Sequence, residues 1–403
     1  MNPREVLLRR FGRSTLAHTR PVLMMFFALL LLYLPGCSNA QKNSEAETNH
    51  ASADSLRYSG EIHLRNIRQL TFGGNNAEAY WSFDDKQLIF QSDWEKINAQ
   101  GCDQIFVMNA NGAPLADGQP YNLVSTGKGR TTCSYFLQDG TIIYASTHAA
   151  SADCPKAAMF SEGRYVWPIY ESYDIYRAQA DGSQPEVLIG APGYDAEATV
   201  SPDGRYVVFT STRSGDLELW RYDLQTGEYL QLTSELGYDG GAFFSRDSKQ
   251  LVWRASRPTT EEEQASYKDL LAKGFVEPKE LNVFVADAEG KNVRQVTNLP
   301  GANWAPFFHP DGKRVLFCSN HHSLDKGGRN FDIFMINIDG TGLRQITHTD
   351  TFDAFPMFSY DGKQLVFCSN RNAQRTPTRD TNVFVADWVE NPARMDSSFM
   401  SWK

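Results

Sequence analysis

Apolar and polar positions alternate along most of this chain, and the alternation breaks at a Pro-Asp-Gly-like turn, resumes, and ends in an aromatic-x-Ser sequence. Six copies can be aligned: WSFDDKQLIFQS (81–92), SYFLQDGTIIYAS (134–146), TVSPDGRYVVFTS (199–211), FFSRDSKQLVWRA (243–255), FFHPDGKRVLFCS (307–319) and MFSYDGKQLVFCS (357–369). A period of two predicts half-buried strands, and turn residues between two such runs predict a hairpin. The hairpins recur every roughly 45–65 residues, as the blades of a β-propeller do. Each copy continues into a third run, such as QIFVMNANG or DIFMINIDG, and then into a fourth, such as LQLT, RQVT or RQIT. The sixth copy stops after its third run, NVFVADW (382–388), while an unattached fourth run, IRQLT (67–71), precedes the first copy. The expected fold is all-β: a six-bladed β-propeller with four-stranded blades, whose N-terminal strand closes the last blade and leaves no unpaired edge. Its expected span is residues 61–390, complete within the chain, with a C-terminal tail at 391–403.

The repeated S-P-D-G-[KR]-x-[VI]-x-F-x-S unit, followed by D-[IL]-[YFW] and [RL]-Q-[LVI]-T, resembles the propeller repeat of the TolB family over about residues 62–390. That resemblance implies an exported six-bladed propeller. The α/β domain that precedes the propeller in TolB has no counterpart here, so the resemblance does not carry over the family's transport-complex role. YDAEATVSPDG, YDGGAFFSRDS and RDTNVFVADW resemble exported TolB-like propellers, some of them fused to peptidases.

Ahead of the repeats, residues 1–36 read as a signal peptide, with Arg4, Arg9, Arg10, Arg13 and Arg20 before an apolar run at 22–34 that is too short to cross a bilayer. Leu34-Pro35-Gly36-Cys37 resembles a bacterial lipobox, which implies lipidation of Cys37 and a membrane anchor without a transmembrane helix. Ser38, where inner-membrane lipoproteins carry Asp, points by the same resemblance to the outer membrane, facing the periplasm. Residues 37–60 contain almost no large apolar side chain and read as the lipidated Cys and a flexible tether. Removing residues 1–36 takes away five arginines and one glutamate and moves the formal charge from −9 to about −13. Such an acidic domain argues against nucleic acid as a partner. A monomer is expected.

Cys318 and Cys368 share one repeat column, beyond disulfide reach of each other, and are expected to be free thiols. Among Cys102, Cys133 and Cys154, a pair is expected in an oxidising compartment, Cys133 with Cys154 being the choice, against no pair at all.

Propeller function resides on the faces, because the interior is committed to blade packing. The turns between first and second strands point one way, so the long insertions at 93–102, 148–172, 258–280, 320–330 and 370–380 share the opposite face, around the channel mouth. Within the third, TEEEQASYKDLLAK (260–273) carries an N-cap Thr, an acidic first turn and a following Gly, so a short helix is predicted. Eight residues before each turn Asp stand Asn76, Thr131, Asp195, Asp239, Asn303 and Asp353; at the exit of each second strand stand Trp94, His148, Arg213, Arg257, His321 and Arg371. Every blade with Asp in the first column has Arg in the second, which predicts the intra-blade ion pairs Asp195–Arg213, Asp239–Arg257 and Asp353–Arg371.

Polar residues without such a partner are the candidate ligand-binding set: Glu78, Trp94, His148, Glu197, Arg254 and His321. Glu78 and Glu197 share a column six before the turn Asp and, with His148 and His321, could hold a divalent cation at the channel mouth; no other cofactor is implied. Tyr165, Trp167, Tyr170 and Tyr173 suit a sugar or a peptide tail, or else stiffen their own loop. The chain has neither a Gly-x-Ser-x-Gly elbow nor a His-Glu-x-x-His helix, so no catalytic residue is assigned. The expected function is a non-catalytic cell-envelope lipoprotein binding a protein segment or glycan at its mouth. The alternative is a metal-dependent, lyase-like carbohydrate-active enzyme, or a peptide-processing one, using mouth His and Glu.

Overall fold

A computed structural model describes residues 53–156, 160–371 and 380–392. The expected signal peptide, Cys37, most of the tether and the tail from residue 393 lie outside the described residues.

Six four-stranded antiparallel sheets follow one another along the chain. Their innermost strands are Asn76–Trp81, Thr131–Phe136, Asp195–Val200, Asp239–Phe244, Asn303–Phe308 and Asp353–Phe358. Five blades take their four strands consecutively; the sixth takes its outermost strand, Leu64–Gln69, from the N-terminal side. That strand pairs antiparallel with Asn382–Trp388, Leu64 opposite Trp388 and Gln69 opposite Phe384, which is the closure expected from the repeats. Residues just before it are also fixed rather than part of a free tether: the Tyr58 hydroxyl donates to the Arg371 carbonyl, and the Leu56 carbonyl accepts from the Arg371 guanidinium.

Each innermost strand breaks register with its neighbour at the same place. The residue there, six before the turn Asp, has positive φ in every blade: Glu78 (52°), Cys133 (45°), Glu197 (58°), Gly241 (59°), Ala305 (48°) and Phe355 (55°). These are β-bulges, which kink the strand and re-aim a side chain; all six surround one small void on the central axis. Two residues further on, Tyr80, Tyr135, Phe243 and Phe307 meet across the axis, with ring centroids 5.6 Å apart for Tyr80–Tyr135, 5.4 Å for Tyr80–Phe243 and 5.2 Å for Phe243–Phe307. These rings plug the channel towards the turn face; the void among the bulges measures about 30 Å³, and one on the turn side, beside Tyr135 and Tyr360, about 40 Å³.

On the opposite face two of the insertions, at 148–172 and 258–280, form a strap; residues 372–379 of the last expected insertion lie outside the described residues. The predicted helix spans Glu261–Ala272, with Thr260 as N-cap in a reciprocal capping box with Glu263. Its following strand, Phe275–Val276, pairs with Trp167–Pro168 from the blade 2 insertion, so the two insertions join above blade 3. Arg164 donates to the Ser266 hydroxyl at 2.9 Å, and Lys273 lies 2.8 Å from Glu162.

Cys102 is disulfide-bonded to Cys154, with Cα atoms 6.2 Å apart, and this corrects the expected Cys133–Cys154 pair. Cys133 is a bulge residue and faces the channel, whereas the insertion carrying Cys154 folds back towards the blade 1 loop that carries Cys102. Cys133, Cys318 and Cys368 are free.

Candidate functional site

Above the plug, the channel opens into a cavity of about 1040 Å³ roofed in part by the strap. Eleven aromatic rings line it, among them Phe160, Tyr165, Trp167, Tyr238, Trp304 and Phe355. They come from two sources: the insertions, and inner-strand or flanking positions of blades 3 to 6. Trp304 holds the wall together, its ring centroid 5.8 Å from that of Trp167 and 5.0 Å from that of Phe355.

The polar floor contains Glu78, Glu197 and Arg254, three of the six candidate residues. Arg254 comes from a second strand and reaches the axis because blade 4 carries Gly241 at its bulge: a Cβ there would lie 1.7 Å from the guanidinium. Once on the axis, Arg254 pairs with Glu197 of blade 3 at 3.1 Å and donates to the Tyr238 hydroxyl. Its guanidinium sits 5.3 Å from the Trp167 ring centroid, so the strap covers it. This pairing between blades is a partner that the repeat alignment did not supply. Glu197 also accepts from the Tyr238 hydroxyl at 2.7 Å, the Gly241 amide at 2.6 Å and the Thr210 hydroxyl at 3.1 Å.

Glu78 occupies the same column on the same bulge and has none of this. Its Oε2 is buried with no hydrogen-bond partner among the described residues. Burial pushes its carboxyl up to about 7, against the pull of a Cys133 hydrogen bond and of Arg254, while Glu197 and Asp103 push in the same direction as burial. The folded protein therefore holds a proton that an ordinary carboxyl releases near 4.5. Stability tied to this group is greatest in acid and falls as pH rises from about 4.5 to about 7. Glu78→Gln removes that fall: urea unfolding is expected to show it more stable than wild type by up to about 3 kcal/mol at pH 8 and nearly equal at pH 4. Equal stability at both pH values would refute this.

The other three candidates lie elsewhere. His148 and His321 contact the Ser146 and Ser319 hydroxyls at 2.8 Å and pack on Tyr176 and Phe334 of their third strands, with centroids 4.2 and 4.6 Å away. The second-strand exit aims its side chain outward along its own blade, and the arginines of the column do the same: Arg257 lies 5.1 Å from the Phe284 ring. Trp94 packs on Gly73 and Gly74, where a Cβ would lie 2.8 and 2.3 Å from it. The expected cation site of Glu78, Glu197, His148 and His321 is therefore not assembled, and among the described residues no group of three or more His, Cys, Asp and Glu side chains is placed to hold a metal. The Asp–Arg column is as expected, at 2.8 Å for Asp195–Arg213, 2.7 Å for Asp239–Arg257 and 3.0 Å for Asp353–Arg371.

Fold and cavity together define a six-bladed β-propeller closed at one face and open, through an aromatic funnel, at the other. Residues 271–376 match the family model described as the TolB beta propeller domain. A protein TolB homolog from Chlorobium chlorochromatii is 27% identical over 217 residues, covering 52% of this chain and 44% of that protein. A Tol-Pal system protein TolB from Francisella tularensis is 25% identical over 185 residues, covering 38% of this chain and 40% of that protein. The matched segments thus span less than half the length of these relatives. Among solved structures, a TolB candidate from Agrobacterium tumefaciens superposes with a TM-score of 0.50 at 15% identity, over 80% of this chain and 96% of that one, a likeness of fold. The chain carries a TolB-like six-bladed β-propeller.

Proposed function

We propose that this protein is a cell-envelope binding module that takes up a protein segment or a glycan in its aromatic mouth and carries out no chemistry of its own. The observation that carries this reading is the blind cavity of about 1040 Å³, walled by eleven rings and floored by charged side chains. Concave, mostly apolar sites with a few convergent polar groups are how proteins hold ligands, and aromatic anchors dominate binding energy. Similarity to Tol-Pal system proteins supports an envelope location and a protein partner. A lipid anchor on Cys37 in the outer membrane is part of the same proposal; among the described residues no helix is long and apolar enough to cross a membrane.

The test is capture from native envelopes by a short-range crosslinker placed at the rim. Phe160 and Tyr165 are exposed rim rings, 66% and 46% accessible, so Phe160→Ser with Tyr165→Ser leaves the core intact. Capture of a reproducible ligand is expected to fall about tenfold in that double variant and further in Trp304→Ala. Undiminished capture by both would move the binding site away from the mouth.

A further inference from the structure

We propose that the blind end of the cavity is a receptor for one protonated amine at the tip of a polypeptide, either its α-ammonium group or a lysine side chain. This rests on the mouth being the binding site and names what it recognises.

Two equivalent carboxylates are treated differently. Glu197 is saturated by Arg254, Tyr238, Thr210 and the Gly241 amide, and so is spent on holding the floor together. Glu78, on the identical bulge, keeps a buried oxygen with no partner among the described residues. A buried acceptor left unpaired is costly, and a ligand donor is the simplest way to satisfy it. Charge points the same way. The groups facing Glu78 are Cys133, Arg254, Glu197 and Asp103. Arg254 is engaged by Glu197, and Asp103 by Arg130, so ionised Glu78 leaves one uncompensated negative charge at the bottom of the cavity.

At the floor a ligand anion finds Arg254 already held by Glu197 and Tyr238 and covered by Trp167; of the other arginines lining the cavity, Arg130 is paired with Asp103 and Arg329 stands on an exposed loop. An ammonium finds a carboxylate and, on the walls, ring faces such as Tyr194, Trp304 and Phe355, which attract cations. Tyr80, Tyr135, Phe243 and Phe307 close the channel just below Glu78, so a chain enters tip first and cannot thread through. An amino sugar fits less well: its hydroxyls need hydrogen-bond partners, whereas the walls are mostly rings and most floor groups are paired among themselves.

The probe is a hexapeptide library offered to the immobilised full-length protein in four forms, with free or acetylated N-termini and with or without lysine, together with a chitosan tetramer. Retention of the free-amine forms, with affinity reduced about 30-fold or more by acetylation in the lysine-free set and by Glu78→Gln, is the expected result. Retention of acetylated peptides only when they contain lysine assigns the side chain. The pH profile separates the two sources independently: binding rises through the titration of Glu78 near 7 and then falls near 8 for an α-amine, or holds to about 10 for lysine. Equal retention of acetylated, lysine-free peptides, abolished by Trp304→Ala, would overturn the ammonium assignment while keeping the mouth as the site. Retention of the chitosan tetramer alone would overturn the polypeptide, and retention of no probe would overturn the proposal, leaving the rim-crosslinking experiment to decide on the mouth itself.

Discussion

Deleting residues 61–72 is expected to abolish the cooperative unfolding transition of the whole propeller. The segment supplies the closing strand, and its Leu64, Ile67 and Leu70 are buried, the first two in a cluster with Leu316, Ile333, Phe358 and Phe384. Burying three such side chains contributes about 1.5–3 kcal/mol each, against a typical total stability of about 5–15 kcal/mol. The deletion also bares the edge of Asn382–Trp388, whose Val383 carbonyl accepts from Leu70 at 2.8 Å, and an open apolar edge invites aggregation. A rescue separates ring closure from mere loss of residues. Because Leu64 lies opposite Trp388 in an antiparallel register, moving residues 61–72 to follow residue 392 through a short linker rebuilds the same ladder as a hairpin. Restored melting in that permuted chain is expected, and wild-type melting of the plain deletion would refute closure by this strand.

Arg371→Ala is expected to destabilise the protein by about 3–5 kcal/mol, as removal of one partner from a buried ion pair does. The sequence alignment pairs Arg371 with Asp353, and the structure adds Glu61: the guanidinium lies 3.0 Å from the first and 3.1 Å from the second, with all three side chains inaccessible to solvent. The same guanidinium donates to the Ser369 hydroxyl and the Leu56 carbonyl. Without it, two carboxylates face each other in the interior. Arg371→Lys should recover only part of the loss, because three donors on a point charge cannot reproduce a planar fork. Urea unfolding at pH 7 measures both variants, and a loss below about 1 kcal/mol for Arg371→Ala would show that the triad does not anchor the N-terminal segment.

The bulge column shows where sequence reading stopped. Five side chains and one glycine converge on the axis because these residues take positive φ, yet only Gly241 among Glu78, Cys133, Glu197, Gly241, Ala305 and Phe355 announces such a backbone by its type. Gly241 was also the one available sign of the Glu197–Arg254 pair, since a blade lacking a side chain at that position leaves room for an arginine from the next strand. His148 and His321 have the chemistry of a site but the geometry of a blade edge, as the arginines in their own column could have indicated. Trp167, in contrast, was singled out in the sequence as one of the insertion aromatics, while its placement over Arg254 depended on a strand pairing between insertions some 100 residues apart.

By itself the sequence determined what repeats, namely alternating strands, turns, blade number and the Asp–Arg pairs within a blade, together with the capped helix and the closing N-terminal strand that the repeat left over. These follow from local periodicity and from contacts that each blade makes with itself. Only the tertiary structure decided what is made once: the plug, the strap, the Cys102–Cys154 link, the pair of Glu197 with Arg254 and the Glu78 carboxylate oxygen left without a partner among the described residues. Such contacts join different blades or their insertions, where no local pattern records which side chain meets which, and a bulge re-aims a side chain without changing the residue that carries it.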